Sequence, residues 1–444
     1  MLSVDALREQ VDDGRIDTVL VAMTDVQGRL QGKRCGARWF VEEVLPRGAE
    51  ACAYLLAVDV EMRTVEGYDL TSWDTGYGDF VLRPDLATLR LVPWHPGTAL
   101  VQCDVEWADG RPVRVSPRQV LRAQLDRLAE RGWVAMAGTE LEFLAFRDTY
   151  EDAWRNGYRG LEPANQYNVD YSLLGTGRVE PLLRRLRTDM AGAGLYVESA
   201  KGECNLGQHE IAFRYDDAMT TADNHAVYKT GAKEIAAQLG QSLTFMAKFD
   251  EREGNSCHVH LSLRTPEGDP VFAEGNSELD GFVAGQLACL RELTLLLAPN
   301  VNSYKRFAPG SFAPTTVAWG LDNRTCAVRV VGTGPSRRFE HRVPGGDVNP
   351  YLALAAVVAA GLHGLDAGLT LEAPFEGNAY DATDRPRVPA TLRDAAALFR
   401  DSAMARAAFG DDVVEHYAHA ADIELAAFDS AVTDWERVRG FERL

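Results

Sequence analysis

The segment Gly132–Phe146, GWVAMAGTELEFLAF, sets Glu140 and Glu142 two positions apart inside an apolar run. On an extended strand, residues at that spacing face the same side. Two carboxylates on one face of a buried strand repel, and desolvating each one unpaired costs on the order of several kcal/mol. The pattern recurs. CHVHLSL spaces His258 and His260 by two, and RRFEHRV does the same for Glu340 and Arg342. In KGECNLGQHEIAF, Glu203 and Glu210 flank a Gly-containing loop. Taken singly, E-x-E is most often the solvated face of an edge strand, H-x-H a packing pair and E-x-R an ion pair. Together they bring five glutamates and one or two histidines, without thiolate, onto strand segments. That donor set suits hard divalent cations such as Mg²⁺ or Mn²⁺, which would neutralise the repelling carboxylates.

A second group is basic. Residues 301–342 carry seven basic and two acidic side chains, in a chain whose net charge is −19. Arg306, Arg324, Arg329, Arg338 and Arg342 can clamp phosphate or carboxylate through two parallel hydrogen bonds. Arg329 lies within the apolar run CAVRVV, which argues against a merely solvated arginine. Metal-holding carboxylates beside clustered arginines read as phosphoryl transfer from a nucleotide. The chain has no GxxxxGK[ST] string, so a P-loop is excluded.

The elements that must position these residues can be read from periodicity. Residues 1–107 read as short strands and turns after one N-terminal helix, with TVLVAMTDVQGRL, ACAYLLAVDVEM, ATLRLVPW and ALVQCDVEW as the strand segments. ADGRP (108–112) is a turn-rich connector and places a domain boundary near 112. SPRQVLRAQLDRLAERG then reads as a helix with Ser116 as N-cap, Pro117 in the first turn and Gly132 closing it. Beyond it helices alternate with strands, SLTFMAKF and CHVHLSL read as a hairpin, and NPYLALAAVVAAGLHG reads as a buried helix started by Asn349 and Pro350. The Pro- and Asp-rich stretch 366–395 reads as a surface excursion.

With 444 residues, 46% hydrophobic and 25% charged, the chain is long enough for two or more globular domains. The acidic balance argues against an extended nucleic-acid surface. The longest apolar run, YLALAAVVAAGL, is shorter than the roughly 20 residues that span a bilayer, so no membrane partner is expected. The charged start lacks the apolar core of a signal peptide, and the seven cysteines show no CxxC spacing. The reading is a reduced, cytoplasmic protein.

GTELEF, GECNLGQHEIAF, SCHVHLSL, NSYKRFAPG, NRTCAVRV and RRFEHRVPGGDVNPYLALAA resemble, in this order, the signatures of the glutamine synthetase family. The resemblance covers nearly the whole chain. It implies an α+β fold: a small β-grasp-like N-terminal domain (1–112) and a large catalytic domain (113–444) with a curved antiparallel sheet flanked by helices. By position, Glu142, Glu203 and Glu210 resemble the ligands of a first metal, and Glu140, His258 and Glu340 those of a second, nearer the nucleotide. Two or more Mg²⁺ or Mn²⁺ per site are thus implied, with ATP as substrate. Arg306 and Arg324 resemble the arginines on glutamate and the transferred phosphate, Arg329 and Arg338 those on the ATP phosphates, and Arg342 the one near the glutamate carboxylate. Gly254, Asn255 and Ser256 resemble the segment that receives the glutamate backbone, while Glu198, Tyr215, His260 and Ser262 match nucleotide-site positions. The family also implies hexameric rings paired into dodecamers, with each site closed by a neighbour's N-terminal domain.

Two departures bear on the acceptor. Ammonia-using members carry a glutamate in a PG-x-E-A-P flap, whereas this chain reads PGSFAP, with Phe312 in place of the acid. Their Asp-Gly-Ser-Ser stretch is also absent from RTVEGYDLTSW, where Glu66 or Asp69 could stand in. Phenylalanine neither accepts a proton nor attracts ammonium. The sequence therefore points to an ATP-dependent ligase joining the γ-carboxylate of glutamate to an organic amine through γ-glutamyl phosphate. The alternatives are an ordinary ammonia-using glutamine synthetase and a non-catalytic scaffold of the same fold. Tyr380, in NAYDATD, aligns with the tyrosine adenylylated in some bacterial members, in different flanking sequence.

Overall fold

The computed structural model describes residues 1–444. An N-terminal helix, Val4–Asp12, starts at Ser3, whose Oγ accepts from the Ala6 amide at 3.1 Å. A six-stranded sheet follows, built from β1 (Thr18–Thr24), β2 (Leu30–Gly36), β3 (Ala49–Cys52), β4 (Asp79–Pro84), β5 (Arg90–Leu91) and β6 (Thr98–Glu106). Its order is β2-β1-β6-β4-β3, with β5 also on β6. The pairing of β1 with β6 is parallel and the others are antiparallel. Of the segment TVLVAMTDVQGRL only Thr18–Thr24 is a strand, and a turn leads to β2, which begins at its last residue, Leu30. Asp25 Oδ1 accepts from the amides of Gln27 (3.0 Å) and Arg29 (2.8 Å), which turns the chain between β1 and β2. In ACAYLLAVDVEM only Ala49–Cys52 is a strand, and a short 3₁₀ turn follows.

The second sheet has nine strands: β7 (Val134–Phe146), β8 (Val197–Gly202), β9 (Gln208–Phe213), β10 (Asp216–Asp217), β11 (Ser242–Thr244), β12 (Cys257–Arg264), β13 (Trp319–Leu321), β14 (Val328–Val331) and β15 (Arg338–His341). The path is β13-β14-β15-β12-β7-β9-β8, with β10 and β11 also on β7. The hairpin reading of residues 242–264 is corrected here. Both β11 and β12 run antiparallel to β7, against its residues 144–146 and 134–141 respectively, so they lie end to end on one edge of the long strand. The loop between them carries Gly254–Ser256 back to the sheet instead of making a tight turn.

One face of this sheet is apolar. Leu141, Phe143, Val259, Leu261 and Phe339 alternate with the polar positions and are at most 1% exposed. The helix Pro350–Asp366 is buried along nearly its whole length, which suits a segment apolar all round. Asn349 caps it and also donates to the backbone oxygens of Asp25 and Val26, both at 3.1 Å. Arg118, on the helix Pro117–Ala129, gathers Asp85 (2.6 Å), Asp104 and Asp223 (3.0 Å). Tyr351 Oη donates to Asp223 at 2.6 Å. These bonds tie the first sheet to the helices behind the second, and one continuous cluster of buried apolar side chains runs through both. No helix is long and apolar enough to cross a membrane.

Candidate active site

The polar face of the nine-stranded sheet collects the residues singled out by their spacing. Cross-strand register does the sorting. Glu142 stands opposite Glu210 on β9, and Lys201 on β8 is next in that row. Glu140 stands opposite His258 on β12, while His260 pairs with Glu340 on β15, and Glu340 with Arg329 on β14. Glu140 and Glu142 do face one way, yet they belong to different groups. The β12 neighbour covers one edge of β7 near Glu140, and β9 covers the opposite edge near Glu142.

The first group is Glu142, Glu203 and Glu210, with carboxylate oxygens within 4.8 Å of one another. Glu142 is 8% exposed, and its Oε2 accepts from the Ser256 amide (2.8 Å) and Gln208 Nε2 (3.0 Å). Burial, then the charge of Glu203, pushes its carboxyl up to about 8. Burial and the neighbouring Glu140 and Glu142 push Glu210 well above the usual carboxylate range. Burial also raises Glu203, although Lys201 pairs with it. Three carboxylates gathered at this range, with Lys201 paired to Glu203 and the charge of Arg306 near Glu142, make a donor set that a hard divalent cation fits.

The second group is Glu140, His258 and Glu340, again within 4.8 Å. His258 Nδ1 lies 3.2 Å from Glu140 and 3.3 Å from Glu340. Burial, then Arg342, pushes its imidazole down to about 4. Its Nε2 is buried without a hydrogen-bond partner. Here the carboxylates are already countered. Arg329 Nη1 reaches Glu340 at 2.8 Å, and Arg342 pairs with its other oxygen. Burial opposes ionisation of Glu340, but His258, Arg342 and His260 outweigh it and hold the carboxyl down to about 2. The bonds from His258 and His260 likewise outweigh burial and hold Glu140 below the usual range. An acid-rich pocket with one imidazole also fits a divalent cation, with less charge left for it to neutralise.

Around these groups the loop Gly254–Ser256 is fixed in place. A Cβ on Gly254 would sit 2.1 Å from the Ala247 backbone oxygen and 2.9 Å from Arg306 Cγ, so the position has room only for glycine. Asn255 is fully buried and accepts from Gln208 Nε2 at 3.0 Å. Arg306, 1% exposed, donates to Ser256 Oγ (3.2 Å) and to the backbone oxygens of Val343 and Pro344. Burial lowers its guanidinium to about 10. A cavity of about 460 Å³ opens beside Glu140, and Glu198, Tyr215, His260, Ser262 and Arg338 all line it. Arg338 Nε donates to His260 Nδ1 at 3.1 Å. Arg329 is not among the residues lining this cavity; it donates to Asp322 (2.9 Å) and Glu340 (2.8 Å).

Some positions are not brought into this constellation. Arg324 is exposed at the turn beside Asp322, clear of both groups. Glu66 and Asp69 lie elsewhere on the chain. The Glu66 backbone oxygen accepts from His419 Nε2 at 2.7 Å, and Asp69 lines a separate recess with Tyr68, Trp107 and His416. Phe312 sits on an exposed loop with φ of 57°, and its backbone oxygen accepts from Arg342 Nη2 at 3.3 Å. Spacing did not single out Gln208 or Lys201. Gln208 joins Glu142 to Asn255, and Lys201 pairs with Glu203 and lies 3.6 Å from Asp170. The nearest signal was adjacency, because Lys201 precedes Glu203 by two residues and Gln208 precedes Glu210 by two.

Residues 114–439 match the glutamine synthetase catalytic domain. The chain belongs to the glutamine synthetase family. Over its full length it is 65% identical to the gamma-glutamylethanolamide synthetase of Streptomyces coelicolor, covering 96% of that protein. Across 98% of the chain and 96% of the relative, it is 38% identical to a glutamate–isopropylamine ligase of a Pseudomonas species. Within the family it falls, with these two, in the branch of γ-glutamyl amine ligases. Its fold matches the solved GmaS–ADP complex with a TM-score of 0.87 at 28% identity, covering 98% of this chain and 99% of that one.

Proposed function

We propose that this chain is an ATP-dependent ligase that joins the γ-carboxylate of glutamate to a small primary amine of the ethanolamine kind. The observation that carries this reading is the shared sheet face. Two carboxylate-rich groups stand side by side, with buried Arg306 and Arg342 next to them and the exposed Phe312 flap above Arg342. The 65% identity to a gamma-glutamylethanolamide synthetase supports the acceptor class.

The chemistry follows from charge. A glutamate γ-oxygen attacks the γ-phosphorus of ATP, ADP leaves, and the poor leaving group becomes an acyl phosphate. The neutral amine then attacks the acyl carbon, phosphate departs and the amine nitrogen loses a proton. In this reading Glu142, Glu203 and Glu210 hold one Mg²⁺ or Mn²⁺, and Glu140, His258 and Glu340 hold another. Such ions, when bound, offset charge on the transferring phosphoryl group. Arg306 and Arg342 serve the glutamate and its acyl phosphate, and Arg324, exposed in this chain, is assigned to the transferred phosphate by its match to the family motif. Gly254, Asn255 and Ser256 seat the glutamate backbone. Glu198, Tyr215, His260, Ser262, Arg329 and Arg338 serve the nucleotide.

Phe312 presents apolar area where an acid would recruit ammonium. Burying two methylenes against it is worth about 1.5 kcal/mol, roughly tenfold in selectivity. Glu66 and Asp69 lie away from the constellation of their own chain. We infer that they complete the amine mouth of a neighbour in a hexameric ring, with rings pairing into dodecamers. The chain divides in this reading at residue 112. All seven cysteines are free, which suits a reducing cytoplasm.

The test is phosphate release with ATP and glutamate against ammonium, methylamine, ethanolamine, isopropylamine and a diamine. Ethanolamine should give the highest kcat/KM, and activity should rise with pH toward the amine's own pKa. Preference for ammonium over every amine would leave an ordinary glutamine synthetase. Absence of ATP turnover with any acceptor would leave a scaffold.

A further inference from the structure

Tyr380 carries a feature that the reaction scheme does not use. Its phenol Oη donates to the backbone oxygen of Ala313 at 3.1 Å, one residue beyond Phe312. Arg342 holds the preceding carbonyl, that of Phe312, at 3.3 Å. The loop needs such anchors. Phe312 sits at φ of 57°, in the left-handed region that costs a bulky L-residue about 1 kcal/mol or more, and the residue is 56% exposed. Within the loop, Ser311 Oγ donates to the Arg306 and Ala308 carbonyls and accepts a long bond from the Ala313 amide at 3.4 Å, which shapes the turn.

The base from which Tyr380 reaches is firm. Asn378 caps the short turn Ala379–Asp381 by accepting from the Tyr380 amide at 3.2 Å. Arg387 donates to Thr316 Oγ1 (2.7 Å) and to the Ala382 carbonyl (2.8 Å). Backbone bonds Val317→Pro386 (2.9 Å) and Val388→Thr315 (3.1 Å) lock the two segments together. The half-buried phenol also lies in the field of Arg342 and Arg306, so it is placed beside the site rather than out on the surface.

We propose that Tyr380 is a positioning residue for acceptor selection: its hydroxyl holds the Ala313 carbonyl so that the Phe312 ring stays over the mouth through which the amine arrives. This rests on the reading that Phe312 faces the acceptor. Tyr380 touches no reacting atom, so its loss affects the acceptor step and spares nucleotide and glutamate binding. One neutral hydrogen bond corresponds to a factor of about three to ten.

The experiment compares wild type, Tyr380→Phe, Phe312→Ala and the double variant in steady-state kinetics, with ethanolamine, isopropylamine and ammonium as acceptors. In Tyr380→Phe the KM for the organic amines should rise about three- to tenfold. Their advantage over ammonium should shrink by the same factor, and the KM values for ATP and glutamate should stay within twofold. The double variant should be no worse than Phe312→Ala alone, because the hydroxyl acts through the ring. Unchanged amine KM values in Tyr380→Phe, an equal loss for all three substrates, or additive losses in the double variant would each overturn the proposal. Wild-type preference for ammonium overturns the acceptor reading instead, and is seen without any variant.

Discussion

The two carboxylate groups on the sheet face are close in composition and opposite in electrostatics. Glu142, Glu203 and Glu210 sit together with one lysine, and burial plus mutual repulsion lifts their proton affinities. Glu140 and Glu340 sit with His258 and are held down by imidazole and guanidinium partners. The first group has a deficit of positive charge that the fold does not supply. The second is already a buried ion-pair network. The same residue type therefore serves two purposes. Carboxylates in the first group cost folding stability until a cation arrives, and Glu340 in the second is needed by its own neighbours.

The sharpest way to break this contrast is a pair of isosteric substitutions. Glu142→Gln should lower turnover at least about a hundredfold, the scale of a lost metal contact. It should leave the cation-free protein as stable as wild type or more so, because a carboxyl whose ionisation burial and Glu203 penalise is replaced by a neutral amide. Glu340→Gln removes the partner of two guanidiniums and should destabilise the cation-free protein by about 3–5 kcal/mol. Urea unfolding in chelator reads both. Equal destabilisation by the two substitutions would erase the distinction.

Divalent cation gives the next effect in size. If the first group waits for positive charge, Mg²⁺ at about a hundred times its dissociation constant should stabilise wild type by about 2.7 kcal/mol. Most of that gain should vanish in Glu142→Gln, and calorimetry with and without chelator measures it. A gain that survives Glu142→Gln would move the principal cation to the second group.

The smallest effect lies outside both groups and acts as a control. His416 is buried against Tyr68, and burial followed by His419 pushes its imidazole down to about 3. Folding thus keeps it neutral, while the unfolded chain takes up a proton below about pH 6.5. Its contribution is fully present above that pH and is lost as the pH falls toward 3, by about 1.4 kcal/mol per unit. In His416→Gln, the fall of stability between pH 6.5 and 5 should be shallower by about 2 kcal/mol than in wild type. Parallel curves would mean that this imidazole titrates in the folded state as it does in water.

Alternation was enough to determine a good deal about this protein. E-x-E, H-x-H and E-x-R each place two groups on one side of a strand because the side-chain period of two is a local property of the backbone. Asn349–Pro350 likewise announced the start of a buried helix, and the resemblance of PGSFAP to the family's flap showed that flap without its acid. The division of labour between Glu140 and Glu142 is not written in their spacing. It depends on β12 lying along one edge of β7 and β9 along the other, and strand neighbours are long-range choices. The same reason misled the reading of residues 242–264, where two extended segments near in sequence each preferred the long central strand to one another. Gln208, Lys201 and the Tyr380 anchor were equally silent, since an ordinary polar side chain gains its role only from what the fold sets against it. The sequence by itself determined which side chains share a face and what chemistry they can do. Tertiary structure decided which of them meet and which charges are left for a ligand to balance, because burial and counter-charge belong to the packed chain and not to any residue alone.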